Sequence, residues 1–165
     1  MFLRGEEPYR LHLDAAAFDD RLGGSHRLLL RLHYMQTGRL AAQRYDAVCD
    51  VSFHPDIRDL YLAADVLVTD YSSAMFDFAV TGKPIVSFAY DLDSYRDDLR
   101  GFYLDLEEVA PGPVVRTSAE LLDALADLPG VQSAYAERYA AFRERFCGLD
   151  DGHATERVLA RLLPE

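Results

Sequence analysis

The sequence predicts an α/β fold built on a doubly wound parallel sheet. Short apolar runs alternate with helical patterns between residues 28 and 88, and residues 66–68 form an uninterrupted aliphatic run. Uninterrupted apolar runs are typical of strands covered on both faces, and strands that alternate with helices favour parallel pairing. At 165 residues the chain is long enough for one domain with a substantial core.

The amino-terminal segment is predicted to contribute one helix at the edge of the fold. Residues 1–13 have no helical or strand pattern, whereas Asp14 suits the N-cap of a helix that runs to about Leu22. Gly23 and Gly24 follow at the position where glycine commonly ends a helix.

Residues 28–33 are predicted to form the first buried strand. Arg31 and His33 stand two positions apart in it, so their side chains lie on one side of the strand. His33 comes last, at the end where open parallel sheets bind their ligands. A histidine at a strand end is also an ordinary polar terminus, so the structural and the functional interpretation both remain open.

A second, weaker strand is predicted around residues 47–49, followed by a helix. His54 suits the cap position of that helix, and Pro55 suits its first turn. Asp56 then falls where the helix dipole favours a carboxylate. We expect the helix to run to about Ala64 and to lead into the strand at 66–68.

Residues 69–73, here called the serine elbow, join that strand to the next helix. Ser72 and Ser73 would add hydroxyl donors to the backbone N–H groups of a helix start, so the serine elbow is suited to a diphosphate. Asp77 lies four residues after Ser73 on the same helix face, and a carboxylate there suits sugar or glycerol hydroxyls. Serines before a helix are also common caps, and Asp77 could equally belong to a solvated face.

The middle of the chain continues the alternation. A helix is predicted at 74–80 and a strand at 85–88, after which 90–103 is an aromatic and charged surface loop. Residues 110–113 form a rigid proline-containing bend, and 114–115 are a short edge strand at most. Ordered loops carried by a rigid sheet are often functional.

The remainder of the chain is predicted to be helical and to cover the sheet. Thr117 and Glu120 match the ends of a capping box. Asp151 suits the cap of the last helix. An aromatic stripe on the penultimate helix is interpreted as packing, and the apolar side of the last helix is expected to face inwards. The stripe is Tyr135, Tyr139, Phe142 and Phe146, and the inward side is Val158, Leu159, Leu162 and Leu163.

Composition excludes several classes of partner. A net charge of −11 argues against a nucleic-acid or broad anionic-lipid surface, so a phosphate site would have to be local. No apolar run is long enough to span a bilayer, and no signal peptide is visible at the first residues. Cys49 and Cys147 lie in no CxxC or metal-ligand spacing, so two reduced thiols and no metal site are expected.

Several motifs in combination resemble one known family. The chain is similar, over roughly residues 26–160, to the carboxy-terminal half of the CDP-glycerol glycerophosphotransferases that polymerise teichoic acids. The motifs are RLHYM at 31–35, HPDIRDLYLAADVLVTDYSSAMFDF at 54–78, GKPI at 82–85, YDLDSYRDDLRGFY at 90–103, APGPVV at 110–115 and DDGHATERV at 150–158.

This resemblance implies a fold, a reaction and a location. The family has the GT-B glycosyltransferase fold of two α/β lobes, and its carboxy-terminal, Rossmann-like lobe holds most of the nucleotide donor. Residues 26–165 would be that lobe, and residues 1–25 an amino-terminal edge segment. The enzymes transfer glycerol phosphate from CDP-glycerol to a lipid-linked glycerol phosphate acceptor and release CMP. They need no metal or cofactor, and they work in the cytoplasm, at the inner face of the membrane.

The resemblance also assigns candidate site residues. It places the donor phosphates near Arg31 and His33, and it makes His33 the catalytic group that gives a hydrogen bond or a proton to the departing CMP. The second cluster of donor contacts is Ser72, Ser73 and Asp77. Further candidates are His54, at a recurrent polar position, and Arg96 and Arg100, on charge alone.

Alternatives remain at the level of the whole protein. The family's amino-terminal lobe is not recognisable here, so a fragment, one half of a two-chain enzyme or a self-associating lobe is expected. A GT-B transferase for another nucleotide-activated polyol or sugar, or a non-catalytic donor-binding remnant, also fits. A receiver-like signalling domain with Asp70 as phospho-acceptor is disfavoured, because it needs an acidic pair after the first strand where this chain has Arg31 and His33.

Overall fold

The structure is a computed structural model that describes residues 11–33, 45–94 and 104–163. Its contacts divide the chain into two compact units. The first unit comprises Met1–Ala64 and Thr117–Ala126, and the second comprises Asp65–Arg116 and Asp127–Glu165.

Helices and strands alternate through the first half of the chain, and helices dominate the last third. In chain order the elements are α1 (Ala15–Leu22), β1 (Leu28–Leu30), β2 (Val48–Asp50), α2 (Ile57–Ala63), β3 (Leu67–Thr69), α3 (Ala74–Ala79), β4 (Ile85–Phe88), α4 (Leu92–Ser94), α5 (Leu106–Val109), β5 (Val114–Val115), α6 (Ser118–Ala126), α7 (Leu128–Cys147) and α8 (Ala154–Leu162). The predicted α/β class is therefore confirmed.

Helices α1 and α6 contribute most of the buried side chains described in the first unit. The Asp14 side chain caps α1 by accepting from the Ala17 N–H at 3.0 Å, as predicted. The Thr117–Glu120 capping box is also confirmed, because each residue's side chain accepts from the other's backbone N–H. The buried apolar side chains of the two helices are Phe18, Leu22, Leu121, Leu122 and Leu125.

The predicted first strand is shorter and less buried than expected. β1 pairs in parallel with β2, with Leu28 opposite Val48, in a two-stranded sheet. It ends at Leu30, its side chains are half-buried or exposed, and Arg31 and His33 lie beyond it. The buried strand predicted over 28–33 is therefore wrong, because an apolar run specifies a strand but not the layers that cover it.

Strand β4 is the centre of the second unit. It lies between β3 and β5, all three strands run parallel, and all four of its residues are buried. β3 is half-buried along its length. The strand predicted at 66–68 to be covered on both faces is thus only half-buried, whereas the prediction for 85–88 is confirmed.

Helix α7 packs against α3 through the predicted aromatic stripe. The Phe76 ring centroid lies 5.4 Å from that of Phe142 and 5.2 Å from that of Phe146. The Tyr139 hydroxyl donates to the Lys83 carbonyl at 2.6 Å, and burial raises the pKa of this phenol to about 12. The interpretation of the stripe as packing is confirmed.

Two glycines are required where the chain turns around β4. Gly82 has φ +74°, a left-handed conformation that ends the segment after α3 and that glycine adopts without strain. A Cβ atom at Gly112 would overlap the carbonyl oxygen of Ile85, so the bend before β5 requires a residue without a side chain.

The apolar side of the last helix is exposed, contrary to the prediction that it faces inwards. In α8, Val158 and Leu159 are 54% and 50% exposed, and Leu162 is 71% exposed; Leu163, next along the chain, is 73% exposed. These side chains were predicted to face inwards from their spacing. Spacing fixes which residues share a helix face, but it does not supply the surface that covers them.

Two parallel sheets, β1–β2 and β3–β4–β5, account for the strands in the described ranges. Their union in one doubly wound sheet remains a prediction. Within those same ranges, no helix is both long and apolar enough to cross a bilayer.

Candidate functional site

In the first unit the structure brings two predicted site residues together. The Arg31 guanidinium donates to the backbone carbonyl of His54 at 2.6 Å, across the exits of β1 and β2. The Leu32 N–H next to it donates to the Ser52 hydroxyl at 3.0 Å. Both Arg31 and His33 are exposed, so a guanidinium and an imidazole are accessible to solvent at the carboxyl end of β1.

His54 does not occupy the cap position predicted for it. The N-cap of α2 is Asp56, which accepts from the Arg58 N–H at 2.9 Å. The His54 imidazole instead lies 3.1 Å from the Asp59 carboxylate. The prediction for His54 was wrong because aspartate is preferred over histidine at N-cap positions, and Asp56 lies only two residues further along the chain. His54 therefore contributes its carbonyl to holding Arg31.

Asp56 and Arg58 form an ion pair beside these residues. The Arg58 guanidinium contacts both carboxylate oxygens of Asp56, at 2.6 Å for the shorter pair of atoms. The side-chain hydrogen bond from Arg58, together with that from its backbone N–H, lowers the pKa of Asp56 to about 2. The start of α2 thus carries a carboxylate that stays ionised down to acidic pH.

In the second unit the serine elbow follows β3 as predicted. Ser72 is half-buried, and its hydroxyl oxygen accepts from the Ala74 N–H at 3.2 Å. The Ser73 side chain is exposed and makes no capping hydrogen bond. Asp77 is exposed in the first turn of α3. Ser73 and Asp77 therefore present a hydroxyl and a carboxylate to solvent on one side of α3.

A contact between Tyr71 and Asp91 was not predicted from the sequence. The Tyr71 hydroxyl donates to Asp91 Oδ1 at 2.7 Å, and it joins the segments that follow β3 and β4. The signal available in the sequence was an aromatic residue directly before the two serines and a carboxylate just after the next strand. Pairing these two needed the register of the strands, which the sequence does not reveal.

The other candidate features are two arginines, a possible metal site and a cavity. Arg96 and Arg100 lie outside the described residues. Among the described residues, no group of three or more histidine, cysteine, aspartate or glutamate side chains is arranged to hold a metal ion.

A cavity of about 150 Å³ in the second unit lies at the other end of β4, beside Ile85, Gly112 and Tyr139, and no candidate residue lines it.

The candidate residues of each unit suit a particular kind of ligand group. Guanidinium and imidazole groups in the first unit suit anionic oxygens, since arginine can hold phosphate with two parallel hydrogen bonds. Hydroxyl and carboxylate groups in the second unit suit a phosphate with a hydroxylated substituent beside it. Phosphate and polyol groups occur together in a nucleotide-activated polyol.

Comparison with known proteins identifies the family. The family model described as CDP-glycerol:poly(glycerophosphate) glycerophosphotransferase matches residues 4–164. The chain belongs to this family. The match includes every candidate site residue, and the family resemblance noted in the sequence is confirmed.

Curated relatives of the chain act in teichoic acid synthesis. The chain is 43% identical over 154 residues to a teichoic acid glycerol-phosphate transferase of Staphylococcus aureus, covering 93% of this chain and 39% of that protein. It is 36% identical over 163 residues to a teichoic acid poly(glycerol phosphate) polymerase of Bacillus spizizenii, covering 98% of this chain and 41% of that protein. The chain thus spans about two fifths of the length of these transferases.

Solved structures extend the likeness to three dimensions. The structure of the wall teichoic acid polymerase TagF superposes with a TM-score of 0.83 at 38% identity, covering 91% of this chain and 37% of TagF. A substituted TagF soaked with CDPG for 30 minutes gives a TM-score of 0.82. The chain therefore has the mixed α/β architecture, with parallel sheets, of this part of TagF.

Proposed function

We propose that this chain holds CDP-glycerol for a glycerophosphotransferase that extends teichoic acid. The observation that carries the proposal is the family match across residues 4–164, which contains Arg31, His33, Ser72, Ser73 and Asp77. TagF, whose structure this chain matches, was soaked with CDPG, and that ligand supports a CDP-linked donor here.

The reaction is a phosphoryl transfer to an alcohol. A terminal hydroxyl of the lipid-linked glycerol phosphate acceptor attacks the phosphorus that carries glycerol in CDP-glycerol. A new P–O bond forms, the bond from that phosphorus to the bridging oxygen breaks, and CMP departs with that oxygen. The acceptor's proton passes to a base. Charge accumulates on the departing phosphate, so hydrogen-bond donors aimed at it lower the barrier.

In the first unit, Arg31 and His33 would meet the donor's phosphates. Contact with the His54 carbonyl fixes the guanidinium of Arg31 while engaging one of its nitrogen atoms. The other nitrogen atoms can face phosphate oxygens, and a guanidinium held in place loses less entropy on binding. His33 would give a hydrogen bond or a proton to the leaving CMP.

In the second unit, the serine elbow and Asp77 would bind a phosphate and the glycerol of the donor. The Ser73 hydroxyl, exposed and without a capping bond, would donate to a phosphate oxygen. Ser72 can accept from the Ala74 N–H and still donate its own proton. Asp77 would accept from glycerol hydroxyls, because a carboxylate against phosphate alone would be repelled.

The transfer also needs an acceptor site and a base. We propose that residues 26–165 are the Rossmann-like carboxy-terminal lobe of a GT-B fold, with residues 1–25 as its edge. An amino-terminal lobe would hold the acceptor and supply the base that takes its proton. The complete enzyme would act in the cytoplasm, peripherally at the inner face of the membrane where lipid-linked acceptors are present.

A second donor is favoured by one group of relatives. The chain is 35% identical over 121 residues to a teichoic acid poly(ribitol-phosphate) polymerase of Bacillus spizizenii, covering 73% of this chain. CDP-ribitol carries the same diphosphate with a longer polyol. The larger identity to glycerol-phosphate enzymes makes CDP-glycerol the first candidate.

Calorimetry with a panel of nucleotides tests the proposal. CDP-glycerol should bind the purified chain at least tenfold more tightly than cytidine, because roughly 1.4 kcal/mol of phosphate contacts corresponds to that factor. CDP-ribitol and UDP-glucose identify the polyol and the base that the chain prefers. Tighter binding of UDP-glucose than of CDP-glycerol would contradict the proposed donor, and equal binding of cytidine would contradict a diphosphate site.

A further inference from the structure

The contact between Tyr71 and Asp91 joins the exits of two neighbouring strands. β3 and β4 pair in parallel with Thr69 opposite Ser87, so the segments that follow them leave the same edge of the sheet. The Tyr71 hydroxyl donates to Asp91 Oδ1 at 2.7 Å across this edge, and both residues are half-buried. The hydrogen bond therefore ties the middle of the serine elbow to the segment after β4.

This hydrogen bond is strong because a phenol donates it to a carboxylate. Burial raises the pKa of the Tyr71 phenol well above its usual range, and the nearby Asp91 carboxylate raises it further. The phenol consequently keeps its proton, and can donate it, throughout the neutral range. A hydroxyl that donates to a carboxylate forms a shorter and stronger bond than two neutral groups do.

Beyond Tyr71, the hydrogen bonds of the two serines run forward into α3. The Ser72 hydroxyl accepts from the Ala74 N–H, and the Ser73 carbonyl accepts from the Phe76 N–H at 3.0 Å. These bonds shape the serine elbow internally. They do not fix Ser72 and Ser73 against β4, and α3 is only six residues long. The contact made by Tyr71, directly before Ser72, supplies that fixation.

We infer that the Tyr71–Asp91 hydrogen bond positions the serine elbow for the phosphates of the nucleotide donor. The inference rests on the proposed function and adds a residue pair to it. Tyr71 acts through Ser72 and Ser73, since the bond aims their hydroxyls at one place before the donor arrives. Groups that bind a ligand in a fixed geometry need such supporting contacts, because displacements of about 1 Å are costly.

Removal of either partner should weaken donor binding by a similar factor. Tyr71→Phe deletes the donor, Asp91→Ala deletes the acceptor, and each should raise the Kd for CDP-glycerol roughly three- to tenfold. The double variant should bind no more weakly than either single variant, because all three lack the same bond. Asp91→Asn keeps an oxygen that accepts from the phenol and should restore most of the affinity.

A matched control separates this effect from the loss of any tyrosine hydroxyl. Tyr135→Phe makes the same chemical change on α7, beside the cavity at the other end of β4. It should leave donor affinity unchanged. A loss of affinity in Asp91→Ala that Tyr71→Phe does not share would overturn the inference, since Asp91 would then be touching the donor itself.

Hydrogen exchange gives a readout that does not depend on the donor. The amides of residues 72–74 should exchange faster in Tyr71→Phe than in the wild-type chain, by a factor of roughly three to ten. Unchanged exchange, or unchanged affinity where the wild type binds CDP-glycerol, would overturn the positioning role alone. Failure of the wild type to bind CDP-glycerol would overturn the proposed function, and with it the donor role of this contact.

Discussion

At the scale of single residues, most of the candidate side chains are exposed. Arg31, His33, Ser73 and Asp77 are all exposed. Exposed substitutions usually change the free energy of unfolding by less than about 0.5 kcal/mol. The effect of a substitution at these positions on ligand binding can therefore be measured separately from its effect on stability.

Asp77→Asn should lower affinity for CDP-glycerol and leave the melting temperature nearly unchanged. The amide accepts hydrogen bonds from glycerol hydroxyls less strongly than the carboxylate does, so the Kd should rise roughly tenfold. Calorimetry measures the affinity and thermal unfolding the stability. Glu137→Gln, which removes one charge from an exposed position of α7, is the control and should change neither. A stability loss without a binding effect would indicate a structural carboxylate instead.

At the scale of elements, the lowered pKa of Asp56 should keep this carboxylate ionised, and its bond to Arg58 intact, at moderately acidic pH. Its pKa of about 2 lies below the ordinary 3.8, so the folded state holds its proton more weakly than the unfolded chain does. The resulting stabilisation is present above pH 3.8 and is lost as the pH falls through about 2.

The carboxyl resonance of Asp56, followed by NMR against pH, measures this pKa directly. In Arg58→Gln the pKa should rise towards 3.8, because the side-chain hydrogen bond from Arg58 is the largest cause of the shift. A wild-type midpoint near pH 4 would contradict the bidentate contact between Asp56 and Arg58.

Local features of the elements could be predicted from the sequence, whereas long-range ones could not. The cap at Asp14 and the capping box at Thr117 and Glu120 depend on neighbouring residues, and both predictions are confirmed. The contact between Tyr71 and Asp91 depends on which strands pair and in what register, which no local pattern encodes.

The same distinction applies to burial and to the candidate site. The exposed side of α8 and the short, half-exposed β1 show that an apolar run does not reveal what covers it. The sequence indicates the serine elbow as a candidate site because its hydroxyls follow a strand directly. Arg31 is a candidate as a cation near a strand end, but its hydrogen bond to the His54 carbonyl joins separate segments and cannot be predicted from a local pattern.

At the scale of the whole molecule, the apolar side of α8 should contribute little to the stability of this chain. Leu162 is 71% exposed, whereas Leu122 is 1% exposed. Leu162→Gln should change the free energy of unfolding by less than about 0.5 kcal/mol. The matched Leu122→Ala should cost about 2–5 kcal/mol, because it leaves a cavity in the core. Chemical denaturation compares the two, and a comparable loss in Leu162→Gln would contradict the exposed position of α8.

The chain alone should not catalyse detectable transfer. Holding donor and acceptor in line is worth about 7–11 kcal/mol of the barrier, and that positioning needs an acceptor site and a base. With CDP-glycerol and a lipid-linked glycerol phosphate primer, we expect no CMP release by the purified chain. Release after addition of a separate amino-terminal lobe would support a divided enzyme, and enzymic turnover by the chain alone would contradict the need for that lobe.

The most direct test of the central claim is the affinity of His33→Ala for CDP-glycerol, measured by calorimetry. If this chain holds the donor's phosphates through His33, the lost hydrogen bond to a charged group, about 1.5–3 kcal/mol, should weaken binding roughly ten- to hundredfold. His153→Ala is the matched control, because His153 is exposed and pairs with Glu156 at 3.1 Å in α8. It should bind like the wild type. An affinity in His33→Ala equal to that of the wild type would contradict the assignment of the donor site.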